Sequence, residues 1–286
     1  MLYQLSYAPA RGKALYRQAR HMATSIARQI RTGWICAWIP RSKACYAAIP
    51  MHSPFPPPIP AEMLLLAYRS GIFPMADRRD DPEVFWVEPK ERAIIPLDRF
   101  RASKSLRKLI SKDVFRVSVD EAFDEVINAC AQPREDHPES WISERIIASY
   151  RQLHRAGHAH SVECWAMEDG TEKLVGGLYG VSFDQVFCGE SMFSHSSNAS
   201  KVALGWLVSL MNAAGYRLLD CQFMTDHLRS MGAVEITQKQ YLEALAHCGG
   251  SPFTTLPKAH ETLLSDAERG HSSPGKLIAQ SLTQTS

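Results

Sequence analysis

The sequence predicts a mixed α/β (α+β) protein: a small N-terminal α/β unit followed by a larger mixed-sheet domain. Three observations carry this. Three apolar runs, HAHSVECWAM, KLVGGLYGVSF and QVFCGES, follow one another over 158–191 with turn-rich breaks between them. Segments with helical spacing of apolar residues flank them on both sides. A short apolar helix and two short β-rich runs stand ahead of these, over 61–97.

The elements follow in order. AEMLLLAYRSGIF (61–73) is a helix that ends near Gly71, because Pro74 cannot continue it. VFWV (84–87) and RAIIPL (92–97) are short strands around the turn signal Glu88-Pro89-Lys90. The basic run RFRASKSLRKLISKDVFRV (99–117) holds seven Lys/Arg against one acid, and Ser103 can cap a helix within it. VDEAFDEVINACAQ (119–132) gathers Ala122, Phe123, Val126, Ile127 and Cys130 on one helical side. SERIIASYRQLHRAG (143–157) runs from a Ser143 cap to a Gly157 stop. The three apolar runs then form an antiparallel meander. A helix at about 197–214, the strand YRLLDCQF (216–223) and two helical pieces, DHLRSMGA and QKQYLEALAHC, complete the order. That order is the one of an acyltransferase-like mixed sheet.

Composition narrows the class. The 286 residues can bury one large core or two modest ones. A hydrophobic share of 45% and a charged share of 22% describe a soluble globular chain. No apolar run reaches the ~18 residues that a spanning helix needs. Seven Cys occur at irregular spacing without a CxxC pair. This argues for reduced thiols in a cytosol, and against a disulfide scaffold or zinc site. The net charge of +2 hides an asymmetry: residues 1–50 hold eight Lys/Arg and no acid, leaving 24 basic against 30 acidic residues elsewhere. Such a leader has the composition of a transit peptide or basic tail. We read 1–58 as an extension outside the fold, with Met51 as an alternative start. The domain reading is then 59–97 for the N-terminal unit, 98–255 for the larger domain, and 256–286 for a polar tail, mobile beyond about 265.

CGESMFS (188–194) poses the chemical question. A nucleophile elbow requires G-x-S-x-G, and the second glycine is missing beside Ser191. Glu190 is the stronger candidate, since a carboxylate on an apolar strand needs a partner. It is either satisfied by backbone N–H groups or receives the ammonium of an amino-acid ligand. Met192 and Phe193 are then ordinary core or the walls of an apolar pocket. Asp220 and Gln222 share one face of their strand, with Cys221 on the other. An acid and an amide there either cap the next helix or orient an amine and polarise a carbonyl. His154, His158 and His160 lack a carboxylate that would complete a metal set. Tyr68, Phe73, Trp86 and Trp141 lie near element ends beside the basic run. Such a mixture is a core with a solvated basic face, or a surface for single-stranded nucleic acid.

Several phrases decide among these. AYRSGIFPM, FWVEP, SKSLRK, FDEVINACA, WISERI, YRQLHRAGHAHSVECW, LVGGLYGV, CGESMFS, NASKVAL, LLDCQF and HLRSMGA occur in one order over 61–233. Together they closely resemble the leucyl/phenylalanyl-tRNA–protein transferase family, over about 60% of the chain. The resemblance implies a bacterial cytoplasmic aminoacyltransferase whose larger domain is GNAT acetyltransferase-like. It implies transfer of Leu, Phe or less often Met from aminoacyl-tRNA to an N-terminal Arg or Lys of an acceptor protein. The product is then read by the N-end rule degradation machinery. It implies no metal, CoA or other cofactor, no membrane, and a monomer.

By the same resemblance, Glu190 belongs to the amino-acid pocket. Tyr68, Trp141 and Met192 match positions near the aminoacyl-adenosine, and Asp220 with Gln222 match a pair for catalysis and acceptor binding. The basic run, with Lys104, Arg107 and Lys108, is the candidate for the tRNA acceptor stem. The chain departs from the family pattern in IPAEMLLLAY before the first helix, in FWVEP around Trp86, in Leu207 of GWL, where a Phe often lines the pocket, and in ITQKQY. Two other readings compete. One is an acyl-CoA N-acyltransferase, although SHSSNASK lacks the glycines of a pyrophosphate cradle. The other is a non-catalytic RNA-binding module.

Overall fold

The computed structural model describes residues 56–133 and 139–284. Expectations for residues 1–55, including the basic leader, lie outside the described residues. Helix α1 (Ala61–Arg69) follows Pro60 and stops at Ser70, after which Gly71 takes a left-handed φ of 77°. Strands β1 (Phe73–Met75) and β2 (Phe85–Val87) pair antiparallel as a separate two-stranded sheet. The turn signal at 88–90 does not close a hairpin between β2 and its successor. Strand β3 (Glu91–Ile95) leaves the small unit and enters the large sheet instead. The unit expected at 59–97 therefore shares its last strand with the rest of the chain.

Helix α2 (Lys104–Ser111) begins at Ser103, whose hydroxyl accepts the Leu106 N–H at 3.1 Å. Strand β4 (Arg116–Val119) was not expected, because its alternating residues are hidden at the end of the basic run. Helices α3 (Phe123–Cys130) and α4 (Glu144–Arg155) follow, the second capped by Ser143 and ended by Gly157 at φ 76°. The expected meander is β5 (Ala159–Glu168), β6 (Thr171–Phe183) and β7 (Val186–Ser194). Helix α5 (Ala199–Ala214) is apolar on nearly every side and is buried accordingly. Strand β8 (Leu218–Gln222), helix α6 (Asp226–Ser230), edge strand β9 (Val234–Thr237) and helix α7 (Gln238–His247) come next. Strand β9 is largely exposed, so it carries little apolar signal in the sequence.

The seven-stranded sheet runs β4-β5-β6-β7-β8-β3-β9. All its pairs are antiparallel except β7–β8. This is the mixed α/β class that the sequence predicts. One face packs a core against α2 and α5, with Leu106, Ile110, Val208, Phe187 and Met192 in it. The opposite face packs α1, α3, α4 and α7, with Tyr68, Ile127, Tyr150 and Tyr241 in it.

The polar tail is a correction. Residues 256–284 form α8 (Leu256–Arg269) and α9 (Pro274–Gln284). Leu256, Ala259, Ile278 and Leu282 are buried in the same core as α5. Their apolar residues recur at helical spacing, but the intervening Ser, Thr, Gln and Lys dilute the average polarity that led to the tail reading. Among the described residues no helix is long and apolar enough to cross a membrane.

The tail therefore carries stability. Leu282→Ala should cost about 2–4 kcal/mol through lost burial and a partly unrelaxed cavity. A urea titration should show a lower midpoint with little change in slope.

Candidate active site

The site begins where two strands part. Parallel strands β7 and β8 pair at Val186 with Leu218, Phe187 with Leu219 and Cys188 with Asp220, and no further. Beyond Cys188, β7 continues to Ser194 against β6, while β8 ends at Gln222. The sheet is split from that point on.

A bulge places the first polar group. The β6–β7 register steps from Gly180 opposite Gly189 to Tyr179 opposite Ser191, so Glu190 is the extra residue. Gly180 makes this possible, since a Cβ there would lie 2.3 Å from the Cys188 carbonyl oxygen. The extra residue also shifts the alternation. Cys188 and Phe193 face the α1/α4 side, whereas Phe187 and Met192 face α5.

Glu190 is completely buried on the α1/α4 side. Tyr68 of α1 donates to its Oε1 at 2.7 Å, Tyr150 of α4 donates to Oε2 at 3.1 Å, and Gln222 Nε2 donates to Oε1 at 3.1 Å. The two tyrosine hydroxyls are also in contact with each other, and with one proton apiece they complete all three bonds only when the Glu190 carboxyl is protonated and supplies the third. Burial disfavours the charged form and outweighs these three donors, so the Glu190 carboxyl is pushed up to about 7. Tyr179 of β6 stands beside this group, its ring edge-on to Tyr150 at 5.8 Å. Its buried hydroxyl has no hydrogen-bond partner among the described residues.

Asp220 is also completely buried, but its situation is the opposite. Arg92 of β3 grips it with Nε at 2.9 Å from Oδ1 and Nη2 at 2.6 Å from Oδ2. Tyr241 of α7 donates to Oδ2 at 2.9 Å. Arg92 is itself buried, donates to the Gly71 carbonyl at 3.2 Å, and lies over the rings of Phe73 and Tyr241. Burial works to lower the Arg92 pKa, and the charge of Asp220 more than offsets it, so the guanidinium stays ionised. Asp220 Oδ1 accepts the Gln222 N–H at 2.8 Å, which closes the turn in which Gln222 takes a φ of 63°. That left-handed conformation ends β8 and aims the Gln222 amide at Glu190. Cys221 faces the α5 core, as strand alternation predicts.

The predicted residues fall into groups. Glu190, Asp220, Gln222 and Tyr68 form one continuous polar chain. Phe193 and Trp141 pack in the core on that same side, with Trp86 half-buried against it. Met192 and Leu207 lie across the sheet from Glu190, in the α5 core. Lys104, Arg107 and Lys108 project from α2, whose Leu106 and Ile110 are buried. His160 of the GHAHSVE run bonds Asp120 at 2.7 Å and pins the turn after β4, a structural use of that motif.

Sequence reasoning missed Arg92, Tyr150 and Tyr179. Arg92 had a usable signal: a lone cation within an apolar strand requires a carboxylate, and Asp220 stands alone in another such strand. Tyr150 and Tyr179 read as plain apolar-face residues, and nothing in their local sequence marks the hydroxyls.

Comparison with known proteins gives the context. Residues 94–246 match the leucyl/phenylalanyl-tRNA protein transferase family, and residues 58–90 match the N-terminal domain of the same family. A leucyl/phenylalanyl-tRNA–protein transferase of Novosphingobium aromaticivorans is 51% identical over 263 residues, covering 81% of this chain and 98% of that one. The chain belongs to the leucyl/phenylalanyl-tRNA protein transferase family. Another relative of that name, from Zymomonas mobilis, is 55% identical over 196 residues, covering 68% of this chain and 72% of its own. Among solved structures, L-PGS from Bacillus licheniformis aligns with a TM-score of 0.31 at 13% identity, covering 56% of this chain and 49% of that one. Within this transferase, the segments matched to the family hold Tyr68, Arg92's neighbours in β3, Glu190, Asp220 and Gln222. Helices α8 and α9 lie beyond both matched segments.

Two outcomes follow from the buried charges. Glu190 has a folded value near 7, above its ordinary value of 4.5. The folded state therefore holds the proton more tightly than the unfolded state. The resulting stabilisation is complete below about pH 4.5 and is lost as pH rises through 7, by roughly 3 kcal/mol in all. Glu190→Gln should flatten that stretch of a stability-versus-pH curve measured by urea unfolding. Separately, Arg92→Leu strands a buried carboxylate and should cost about 3–5 kcal/mol, whereas Arg92→Leu with Asp220→Leu should recover much of the loss. A double-mutant cycle measures the difference.

Proposed function

We propose that this transferase moves a leucyl or phenylalanyl group, and methionyl less readily, from aminoacyl-tRNA to the amino terminus of proteins that begin with Arg or Lys. The observation that supports this reading is Glu190: a buried carboxylate beside an apolar core residue, Phe193, where β7 and β8 part. A carboxylate poised near neutrality suits an α-ammonium held next to an apolar side chain. The new N-terminal residue marks the product for the N-end rule machinery, and the reaction belongs to the cytoplasm, where aminoacyl-tRNA is made. The protein acts as a monomer.

The chemistry is aminolysis of an ester. The acceptor's neutral α-amino nitrogen attacks the ester carbonyl carbon. The bond from that carbon to the ribose oxygen of the tRNA end breaks, and that leaving oxygen takes up the proton the amine gives up and becomes the free ribose hydroxyl. The ester is already activated, so positioning supplies most of what the reaction needs. Ionised Glu190 binds the donor's α-ammonium, and Gln222 holds both Glu190 and the incoming amine in place. Asp220 is a positioning residue here: its charge is engaged by Arg92, and its Oδ1 fixes the Gln222 backbone. Tyr68, Trp86 and Trp141 flank the terminal adenosine. Met192 and Leu207 support the pocket from the α5 side of the sheet. Lys104, Arg107 and Lys108 of α2 face the acceptor stem.

Radiolabelled Leu-tRNA and a peptide with N-terminal Arg test this. Label should pass to the peptide from the tRNA, and none should pass from acetyl-CoA. Gln222→Ala should lower kcat by about a hundredfold through misplacement of the amine. Asp220→Asn should give a smaller loss. RNA binding without transfer, or near-normal rates in both variants, would overturn the assignment.

A further inference from the structure

Helix α9 does more than complete a core. It lies against α2, and between them is a groove of about 340 Å³ lined by Arg107, Lys108 and Ser111 from α2 and by Lys276, Gln280 and Thr283 from α9. Arg107, Lys108, Lys276 and Gln280 offer N–H donors, the Ser111 and Thr283 hydroxyls donate to the Lys108 and Gln280 carbonyls of their own helices, and no carboxylate lines the groove. Neither helix contains an acidic residue. Among the described residues, Arg107, Lys108 and Lys276 take part in no ion pair, while most other Arg side chains around the molecule do. Asp113, in the turn after α2, does not line the groove; its Oδ1 accepts the Gly275 N–H at 2.8 Å.

The position of Lys276 is fixed by packing. A Cβ on Gly275 would lie 2.0 Å from the Ile110 carbonyl oxygen and 2.5 Å from Asp113 Oδ1, so only glycine lets the first turn of α9 approach α2 this closely. Ile278 and Leu282 then bury next to Ile110. The residue after Gly275 is thereby held beside Arg107 and Lys108. Three cations, unpaired among the described residues, converge at a helix–helix seam, with the Gln280 amide beside them.

We propose that this groove binds the phosphate backbone of the donor RNA, with Lys276 extending the cationic face of α2 across the seam to α9. The inference rests on the reading of aminoacyl-tRNA as donor, and it goes beyond it, since α9 lies outside the segments matched to the family. Phosphate fits better than a carboxylate-bearing protein surface, because cations spaced along a groove follow a charged backbone and carry no shape for one side chain.

The experiment compares Leu-tRNA with leucyl-adenosine, a donor that lacks the stem. For Lys276→Glu, kcat/KM for Leu-tRNA should fall about tenfold relative to that for leucyl-adenosine. The slope of log affinity against log salt should become shallower by about one. Lys276→Gln should show about half the loss on a logarithmic scale. Lys276 is exposed, so the urea midpoint checks that the fold is retained. An unchanged ratio and salt slope would overturn the proposal. Absence of transfer from either donor in the wild type would instead sink the functional reading. In that case, anisotropy of a short RNA hairpin decides about the groove: binding weakened by Lys276→Glu supports it, and unchanged binding overturns it. An acidic peptide that competes in the wild type but loses affinity in Lys276→Glu, while the hairpin does not, also overturns it.

Discussion

The ion pair between Arg92 and Asp220 is the constraint on which the rest depends. Both side chains are fully buried, and their desolvation is tolerated because the two charges compensate each other and the Gly71 carbonyl, Tyr241 hydroxyl and Gln222 N–H add further hydrogen bonds. The guanidinium ties four pieces of chain together: the turn after α1 through the Gly71 carbonyl, Phe73 of the small sheet, Tyr241 of α7, and β8. It also explains why β3 abandons its sequence neighbours for the large sheet. Only a strand next to β8 can present Arg92 to Asp220, and β3 pairs with β8 through Ile94 opposite Asp220.

The pair then sets the state of its neighbour. Asp220 is compensated by a cation, whereas Glu190 is compensated only by neutral donors. Two carboxylates on one side of one sheet thus have different partners, a guanidinium for one and neutral donors for the other, and burial raises the Glu190 carboxyl. Gln222 links them, its backbone N–H on Asp220 and its side-chain amide on Glu190. The result is a rigid relay of position from β3 to β7. A site built in this way on strands and helices holds its geometry better than one built on loops.

Most of the fold is legible in the sequence, because it is written in periodicity and caps. Ser103 and Ser143 announce their helices, Gly71 and Gly157 end theirs, and the meander reads as three alternating runs. The failures have physical causes. Strands β4 and β9 are short and carry few apolar residues to signal them. Helices α8 and α9 bury a narrow stripe beneath a polar surface, which average composition cannot detect. The site was half legible. Asp220, Gln222 and Glu190 stand out as polar residues on apolar strands. The bulge does not, since strict alternation puts Met192 on the same side as Glu190, and one extra residue moves it across the sheet. Arg92 required pairing two distant strands before its role could appear.

Helix α2 shows how the same constraint reaches the surface. Its amphipathic split puts Leu106 and Ile110 into the α5 core and leaves its cations outside. The core beneath it is shared with Phe187 and Met192 of β7, the strand that carries Glu190. The cationic face is therefore packed, through α5, on the strand that carries Glu190. For a donor whose long charged body and small reactive end must both be placed, that arrangement is efficient. In the proposed reading, anchoring the body at α2 fixes the distance and direction from which the esterified end approaches the split between β7 and β8. The small energy of each exposed phosphate contact then serves orientation as much as affinity, and orientation is what an already activated ester lacks.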